Sequence, residues 1–263
     1  MKTMGTPQRT DDLVASYSSK GPTMIDHIVK PDIVAPGNLV VSLLASTAQM
    51  PQSYPQNNIR LSYYESTSQT NASNTYLLLS GTSMAAPVVS GAAAVLLQAH
   101  PSLTPDQVKA RLMHTAYKVF PESSIATDAV TGQTYLSQYD IFTVGAGYLD
   151  MAAALADTTV FTGSAASPVA TYNSQTNSAV LVCPPTSICG SQSLWDSQSL
   201  WDSQSLWDSQ TLWDNAFFLS GTRTLWDSQS LWDNQSLWDS QSLWAASTSD
   251  SAESITIAIY GEH

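Results

Sequence analysis

The stretch that decides the fold is Ser80–Ala94, SGTSMAAPVVSGAAA. The apolar run before it, TYLLL at residues 75–79, is typical of a buried strand, and Gly81 supplies a tight turn. From Ser83 to about Ala99 the sequence is apolar on every side, which predicts a helix buried all round. A serine at a helix start meets free backbone N–H groups and the positive end of the helix dipole. Ser83 is therefore a candidate nucleophile, and the alternative is a serine that only caps the helix.

The residues around this stretch predict further elements of an α/β domain. KPDIVAPG (Lys30–Gly37) and NLVVSLLA (Asn38–Ala45) favour two short strands, whereas residues 46–75 lack periodicity and indicate a surface insertion. Thr104 followed by Pro105 is typical of a helix start. We expect one more helix within residues 147–156.

The motif GTSMAAP (Gly81–Pro87) resembles the serine signature of the subtilisin-like serine proteases, the subtilases. ASYSSKGPT (Ala15–Thr23) and KPDIVAPG resemble the two segments that precede this serine in the family. PSLTPDQVKARLMHTA (Pro101–Ala116) and GAGYLDMAAAL (Gly145–Leu155) resemble the segments that follow it. The resemblance covers about residues 1–157.

This resemblance implies a parallel α/β sheet with flanking helices and peptide-bond hydrolysis through a serine acyl-enzyme. It implies that Ser83 is the nucleophile, that its backbone N–H is one oxyanion donor, and that the substrates are proteins or peptides. It also implies an extracellular, secreted protein. The sequence itself indicates no metal site and no cofactor; calcium is implied by the resemblance alone.

The segments that carry the activating base and acid in subtilases are not found in this sequence. A serine nucleophile needs a base and an acid that orients the base, and subtilases carry these in Asp-Ser/Thr-Gly and His-Gly-Thr-His stretches. Neither stretch occurs here. The contexts of all four histidines favour structural or solvent roles: His27, His100, His114 and His263. We therefore expect the C-terminal part of a subtilase catalytic domain, with an incomplete sheet, poor solubility or a molten state, and no activity alone.

Charge and cysteines limit the partners and the compartment. Of the net charge of −12, residues 158–263 carry −9, which argues against nucleic acid and anionic membranes as partners. We find no apolar run of about 18 residues, so we expect no membrane span. The start, MKTMGTPQRTDD, is not a signal peptide. Cys183 and Cys189 could close a small disulfide loop or remain free.

The sequence predicts four regions. Residues 1–157 form the α/β part, and 158–190 a linker with one strand at Ala179–Val182; 191–244 hold hexapeptide repeats, and 245–263 a C-terminal strand. All eight tryptophans lie here in Leu-Trp pairs, within exact or varied copies of the hexapeptide Ser-Gln-Ser-Leu-Trp-Asp, and they are six residues apart except for one step of thirteen. A six-residue step fits the two-residue period of strands but not a helix face, so the alternatives are a short β-repeat and a disordered tail.

The repeats suggest a second function. Aromatic residues at regular spacing, separated by acids, suit binding of surface polysaccharide or self-association. The alternative to a protease is therefore an extracellular binding or structural repeat module that carries a vestigial protease segment.

Overall fold

The structure is a computed structural model, and it describes residues 1–23, 25–45, 48–68, 70–127, 134–173, 178–190 and 259–262. The chain divides into two compact units. The first unit consists of Met1–Tyr17, Pro36–Val88 and Ser240–His263. The second consists of Ser18–Ala35 and Val89–Asp239.

The described elements of the first unit are strand β1 (Val40–Leu43), helix α1 (Met50–Ser53), strand β2 (Asn58–Arg60) and strand β3 (Ala72–Leu79). Helix α2 (Thr82–Ala99) begins in the first unit and ends in the second. The second unit continues with α3 (Pro105–His114), β4 (Ser123–Thr127), β5 (Thr134–Gln138), α4 (Ile141–Val144), α5 (Met151–Ala156), β6 (Val169–Asn173) and β7 (Ser178–Val182). Short 3-10 turns lie at Arg9–Asp11, Pro55–Asn57, Leu61–Tyr63 and Ile188–Gly190.

The sheet of the first unit is antiparallel, with the strand order β1-β3-β2. In the pair of β1 and β3, Val40 lies opposite Leu79 and Leu43 opposite Tyr76. The strands predicted at Asn38–Ala45 and before Gly81 are confirmed as β1 and β3. Residues 46–75, predicted as an insertion, include α1 and β2. Because β3 ends at Leu79, the sheet brings the chain directly to the turn before Ser83.

Helix α3 organises one core of the second unit. Its start is as predicted, because the Thr104 side chain accepts from the Gln107 N–H while the Gln107 side chain accepts from the Thr104 N–H. This reciprocal capping box satisfies two N–H groups that a helix start leaves free. The apolar face of α3 packs against α2 and α5 through Ala92, Leu96, Val108, Leu112 and Ala154.

A second core of this unit joins α3 to residues far along the chain. It contains Val29, Ala110, Met113, Ile141, Phe142, Ala146, Ala165, Ala170 and Cys189. Cys183 and Cys189 form a disulfide with their Cα atoms 5.8 Å apart, which settles the two alternatives left by the sequence. Residues 158–190, predicted as a linker with one strand, therefore contain the antiparallel pair of β6 and β7 and a disulfide-closed loop.

The predicted parallel sheet is not seen among the described residues, whose strands pair antiparallel. Lys30–Gly37, predicted as a strand, makes one parallel bridge, between Val34 and Tyr148. A ladder needs several consecutive pairs. The segment around Tyr148 cannot extend this single bridge into a ladder, because it turns at Gly147, where φ is +131°, and enters α5 at Met151.

Helix α2 is also less buried than predicted. Within the described part of the chain only Ala92 and Leu96 of this helix are buried, while Val95 is 45% and Leu97 39% exposed. The reason is that α3 and α5 cover one face only. By length and composition alone, α2 is long and apolar enough to cross a membrane. It is not a continuous apolar run, because it contains Thr82, Ser83, Ser90 and Gln98. One such helix is weak evidence for a span, since core helices of globular proteins pass the same test.

Several predictions lie outside the described residues. They are the structure of the repeats at 191–244, the strand predicted at 245–263 except for Ile259–Glu262, which is not a strand, and the surroundings of His263. The binding role of the repeats therefore stays a prediction.

Candidate active site

The turn between β3 and α2 places Ser83. Gly81 has a φ of +141°, which side-chain-bearing residues rarely adopt, and its N–H donates to the Gly37 carbonyl at 2.8 Å. The preceding Ser80 is 1% exposed, and its Oγ accepts from the Leu39 N–H at 2.8 Å. The turn is therefore bonded on both sides to residues 37–39.

Gly37 allows this close approach. A Cβ at Gly37 would lie 2.9 Å from the Gly81 carbonyl oxygen and 3.0 Å from the Ala85 Cβ, so only glycine fits without a shift. The Tyr17 hydroxyl lies 3.2 Å from both the Gly37 carbonyl and Asn38 Oδ1, to which it can donate. Burial, followed by the nearby Glu262 carboxylate, raises the pKa of Tyr17 to about 12. Tyr17 therefore stays protonated and holds Gly37 in place.

Ser83 lies exposed in the first turn of α2. The Met84 and Ala85 N–H groups both donate to the Gly81 carbonyl, whereas those of Thr82 and Ser83 donate to no acceptor within the described residues. Two free N–H groups at the positive end of an 18-residue helix can stabilise an oxyanion. The side chain of Ser83 makes no hydrogen bond to any described residue.

The structure places three of the four histidines, all in the second unit. His27 has a φ of +53°, and its carbonyl accepts from the Ala170 N–H at 2.8 Å. His100 follows α2 directly, and its N–H donates to the Leu96 carbonyl at 2.8 Å. The described part of the first unit, which contains Ser83, has no histidine.

His114 forms a histidine–carboxylate pair with Asp157. Its Nδ1 lies 3.1 Å from Asp157 Oδ2, and its ring packs edge-on against Phe161. Burial would raise the pKa of Asp157, but hydrogen bonds from Thr159 and His114 together lower it. The pair ties the last turn of α3 to the segment that follows α5, which is a structural role.

Sequence reasoning missed the residues that position the turn. The Tyr17–Asn38 and Leu39–Ser80 hydrogen bonds join residues 21 and 41 positions apart, and local sequence patterns do not indicate such contacts. One signal was available: Gly37 and Gly81 each follow an extended segment, a position where a glycine often marks a close backbone approach.

The resemblance implied calcium, for which acidic side chains of the described residues are the first ligands to consider. Among the described residues, no group of three or more His, Cys, Asp and Glu side chains lies close enough to hold a metal ion.

Serine hydrolases can hold their nucleophile at a glycine-turned helix start with free N–H groups beside it, and a serine that only caps a helix can occupy the same position. The sequence model of the Subtilase family matches residues 3–147, more than half of the chain, so this chain belongs to the subtilase family of serine-type peptidases. The match includes all of α2. The mixed α/β composition of the structure agrees with this family.

Individual relatives are similar over the same region. Serine protease AprX of Bacillus subtilis is 42% identical over 104 residues, which are 40% of this chain and 20% of that protein. Two proteins of Arabidopsis thaliana follow: subtilisin-like protease SBT4.10, 37% identical over 148 residues (56% and 18%), and SBT1.7, 36% identical over 124 residues (46% and 14%). The aligned part of this chain thus spans a fifth or less of the length of these relatives.

Proposed function

We propose that this chain contributes Ser83 as the nucleophile of a subtilase that hydrolyses peptide bonds in protein or peptide substrates. One observation carries the proposal: the exposed Ser83 hydroxyl lies in the first turn of α2 beside two backbone N–H groups without an acceptor among the described residues. A seryl oxygen attacking a carbonyl from this position would leave the developing oxyanion beside the Ser83 N–H.

The proposed step needs a base. As the Ser83 oxygen bonds to the substrate carbonyl carbon, its proton passes to the base, which then protonates the leaving amine as the peptide bond breaks; water later releases the acyl group. No described histidine belongs to the unit that contains Ser83, and the family's aspartate and histidine stretches do not occur in the sequence. We infer that base and acid come from polypeptide outside these 263 residues, and that this chain alone does not turn over peptides.

The open face of helix α2 supports this inference. An apolar helix is normally covered on all sides, but Val95 and Leu97 are exposed among the described residues. Further polypeptide that completes a catalytic domain would cover such a face.

The experiment uses a fluorophosphonate probe, which labels a serine only when a base activates it. We expect no labelling of the 263-residue chain. We expect labelling of a fusion in which a segment carrying the family's aspartate and histidine stretches precedes the chain. Ser83→Ala should abolish that labelling, and the control Ser90→Ala, on the same helix, should retain it. A folded fusion that stays unlabelled, or is labelled equally after Ser83→Ala, would contradict the assignment of Ser83.

We also propose that the protein is extracellular. The Cys183–Cys189 disulfide supports this location, because such bonds persist in oxidising compartments. An antibody against the chain should detect the protein in the culture medium of the producing organism. Detection in the cytoplasm alone, with both thiols free, would contradict the proposal.

A further inference from the structure

The four residues Ile259–Glu262, sequence IYGE, contact the N-terminal part of the first unit through a charged pair. Glu262 Oε1 is 2.7 Å from Lys2 Nζ, and Glu262 Oε2 accepts from the Ser16 N–H at 2.7 Å. The two paired side chains are only 8% and 18% exposed. Loss of one partner of a buried ion pair leaves the other charge desolvated, so this contact selects strongly for a carboxylate.

Two asparagines bind the backbone of the same segment. Asn38 Oδ1 accepts from the Glu262 N–H at 2.8 Å, and Asn38 Nδ2 donates to the Glu262 carbonyl at 2.7 Å. Asn57 Nδ2 donates to the Ile259 carbonyl at 2.6 Å. Both asparagines are buried, at 8% and 2% exposure, and removal of the segment would leave Asn38 without these two partners.

The shape of the contact is specific for two further positions. Ile259 is 3% exposed, whereas Tyr260 is 54% exposed, so the contact does not constrain the side chain at position 260. Gly261 has a φ of +69°, and a Cβ there would lie 2.5 Å from Leu39 Cδ2 and 2.8 Å from Ser80 Oγ. The contact is therefore specific for the pattern Ile-x-Gly-Glu, in which x is any residue.

We propose that Lys2, Ser16, Asn38, Leu39, Asn57 and Ser80 form a sequence-specific peptide-binding site, the tail site, and that its occupant is Ile259–Glu262 of the same chain. Leu39 and Ser80 are also bonded to each other at the turn before Ser83, so the bound segment holds that turn in place. The proposal does not depend on Ser83 acting as a nucleophile.

The test uses the full-length chain, which is cleaved at a single introduced site so that both pieces remain present. A site for a specific protease is introduced within residues 245–252, and the cleaved protein is passed over a gel-filtration column. We expect the C-terminal piece to stay with the large piece. In the cleaved protein, Glu262→Gln should raise the dissociation constant of the piece at least about tenfold, and the control Glu65→Gln, at an exposed acid, should leave it unchanged. Glu262→Gln hardly changes the side-chain volume, which limits effects on folding.

Glycine substitutions test the shape of the site. Gly261→Ala should release the piece, whereas Gly5→Ala should not, because Gly5 has the same φ of +70° but no heavy atom within 4 Å of the added Cβ. Equal effects of the two substitutions would overturn the proposal. In the uncut chain, amide hydrogen exchange should find the Ser16 N–H protected, and less so after Glu262→Gln.

Two further outcomes would overturn the proposal. The first is immediate loss of the C-terminal piece from the otherwise unchanged cleaved chain. The second is an uncut chain that elutes as a dimer and exchanges C-terminal segments with a longer, tagged copy, because the occupant would then come from a second molecule.

Discussion

At the scale of single residues, Gly81 decides how the chain leaves β3 and enters α2. Its φ of +141° turns the backbone, and its N–H bonds to the Gly37 carbonyl. Ser80 on one side is bonded to Leu39, and Met84 and Ala85 on the other side are bonded to the Gly81 carbonyl. The Ser83 hydroxyl is exposed as a result of this turn, not of any contact that Ser83 makes among the described residues.

We predict that Gly81→Ala destabilises the protein by about 1–3 kcal/mol, because alanine is strained at this φ. Steric contact adds little, since the nearest side-chain atom to the added Cβ is Met84 Sδ at 3.5 Å. Urea unfolding measures the difference. The control is Gly91→Ala on the exposed side of α2, where the Cβ meets nothing within 4 Å and should stabilise the helix by about 1 kcal/mol. Destabilisation by both changes would show that the φ of Gly81 is not the cause.

At the scale of elements, α2 and α3 show what the sequence could predict. Both helix starts depend on neighbours in sequence, such as Thr104, Pro105 and Gly81, and both were predicted within a residue. The burial of α2 was not, because composition does not say which faces other elements cover. Leu96 packs against α3 and α5 while Leu97 beside it is exposed, and this difference depends on tertiary contacts that the local sequence does not specify.

We predict that Leu96→Ala costs about 2–5 kcal/mol of stability, because its fully buried side chain leaves a cavity between α2 and α3. Leu97→Ala removes the same atoms from a side chain that is 39% exposed and should cost clearly less. The measurement is the midpoint of thermal unfolding for the two variants. Equal losses would mean that the face carrying Leu97 is covered too.

The capping box of α3 gives a second prediction at this scale. Thr104→Ala should destabilise by about 1 kcal/mol, because it removes the acceptor of the Gln107 N–H. The double variant with Gln107→Ala should lose less than the sum of the two single losses, since their bonds form one reciprocal unit. Ser102→Ala, at an exposed residue before the helix, is the control. Strict additivity in denaturant unfolding would argue against a shared unit.

At the scale of the whole molecule, the sequence predicted the family. It did not predict which distant segments pair with each other. The motifs around Ser83 predicted membership of the subtilase family, and the match over residues 3–147 confirmed it. The parallel sheet implied by the resemblance is absent among the described strands. The contact of Glu262 with Lys2 joins residues 260 positions apart, and no local pattern could have indicated it.

Asp32 joins distant segments of the second unit and makes its stability depend on pH. It pairs with Lys30 and with Lys109 Nζ, the latter at 2.9 Å, and accepts from Ser167. Burial would raise the pKa of Asp32, but these bonds together lower it below its usual value. A carboxyl whose pKa is lower in the folded state stabilises above its unfolded pKa of about 3.9, and this stabilisation is lost as the pH falls through the folded pKa.

We therefore predict that Asp32→Asn destabilises the protein by about 2 kcal/mol at pH 7. The difference from the unchanged protein should shrink below about pH 4. Unfolding curves between pH 3 and pH 7 measure it, with Asp106→Asn as a second carboxyl variant for comparison. A difference that stays constant over this range would contradict the assigned role of the Asp32 charge.

The attachment of Ile259–Glu262 bears on how the number of repeats can vary between related genes. In the sequence, 68 residues separate Gly190 from Ile259, and the entropy of closing a loop grows only with the logarithm of its length. Doubling the segment would weaken the attachment by about 0.6 kcal/mol. DNA slippage that adds or removes six codons would therefore produce natural length variants whose C-terminal attachment is nearly unchanged.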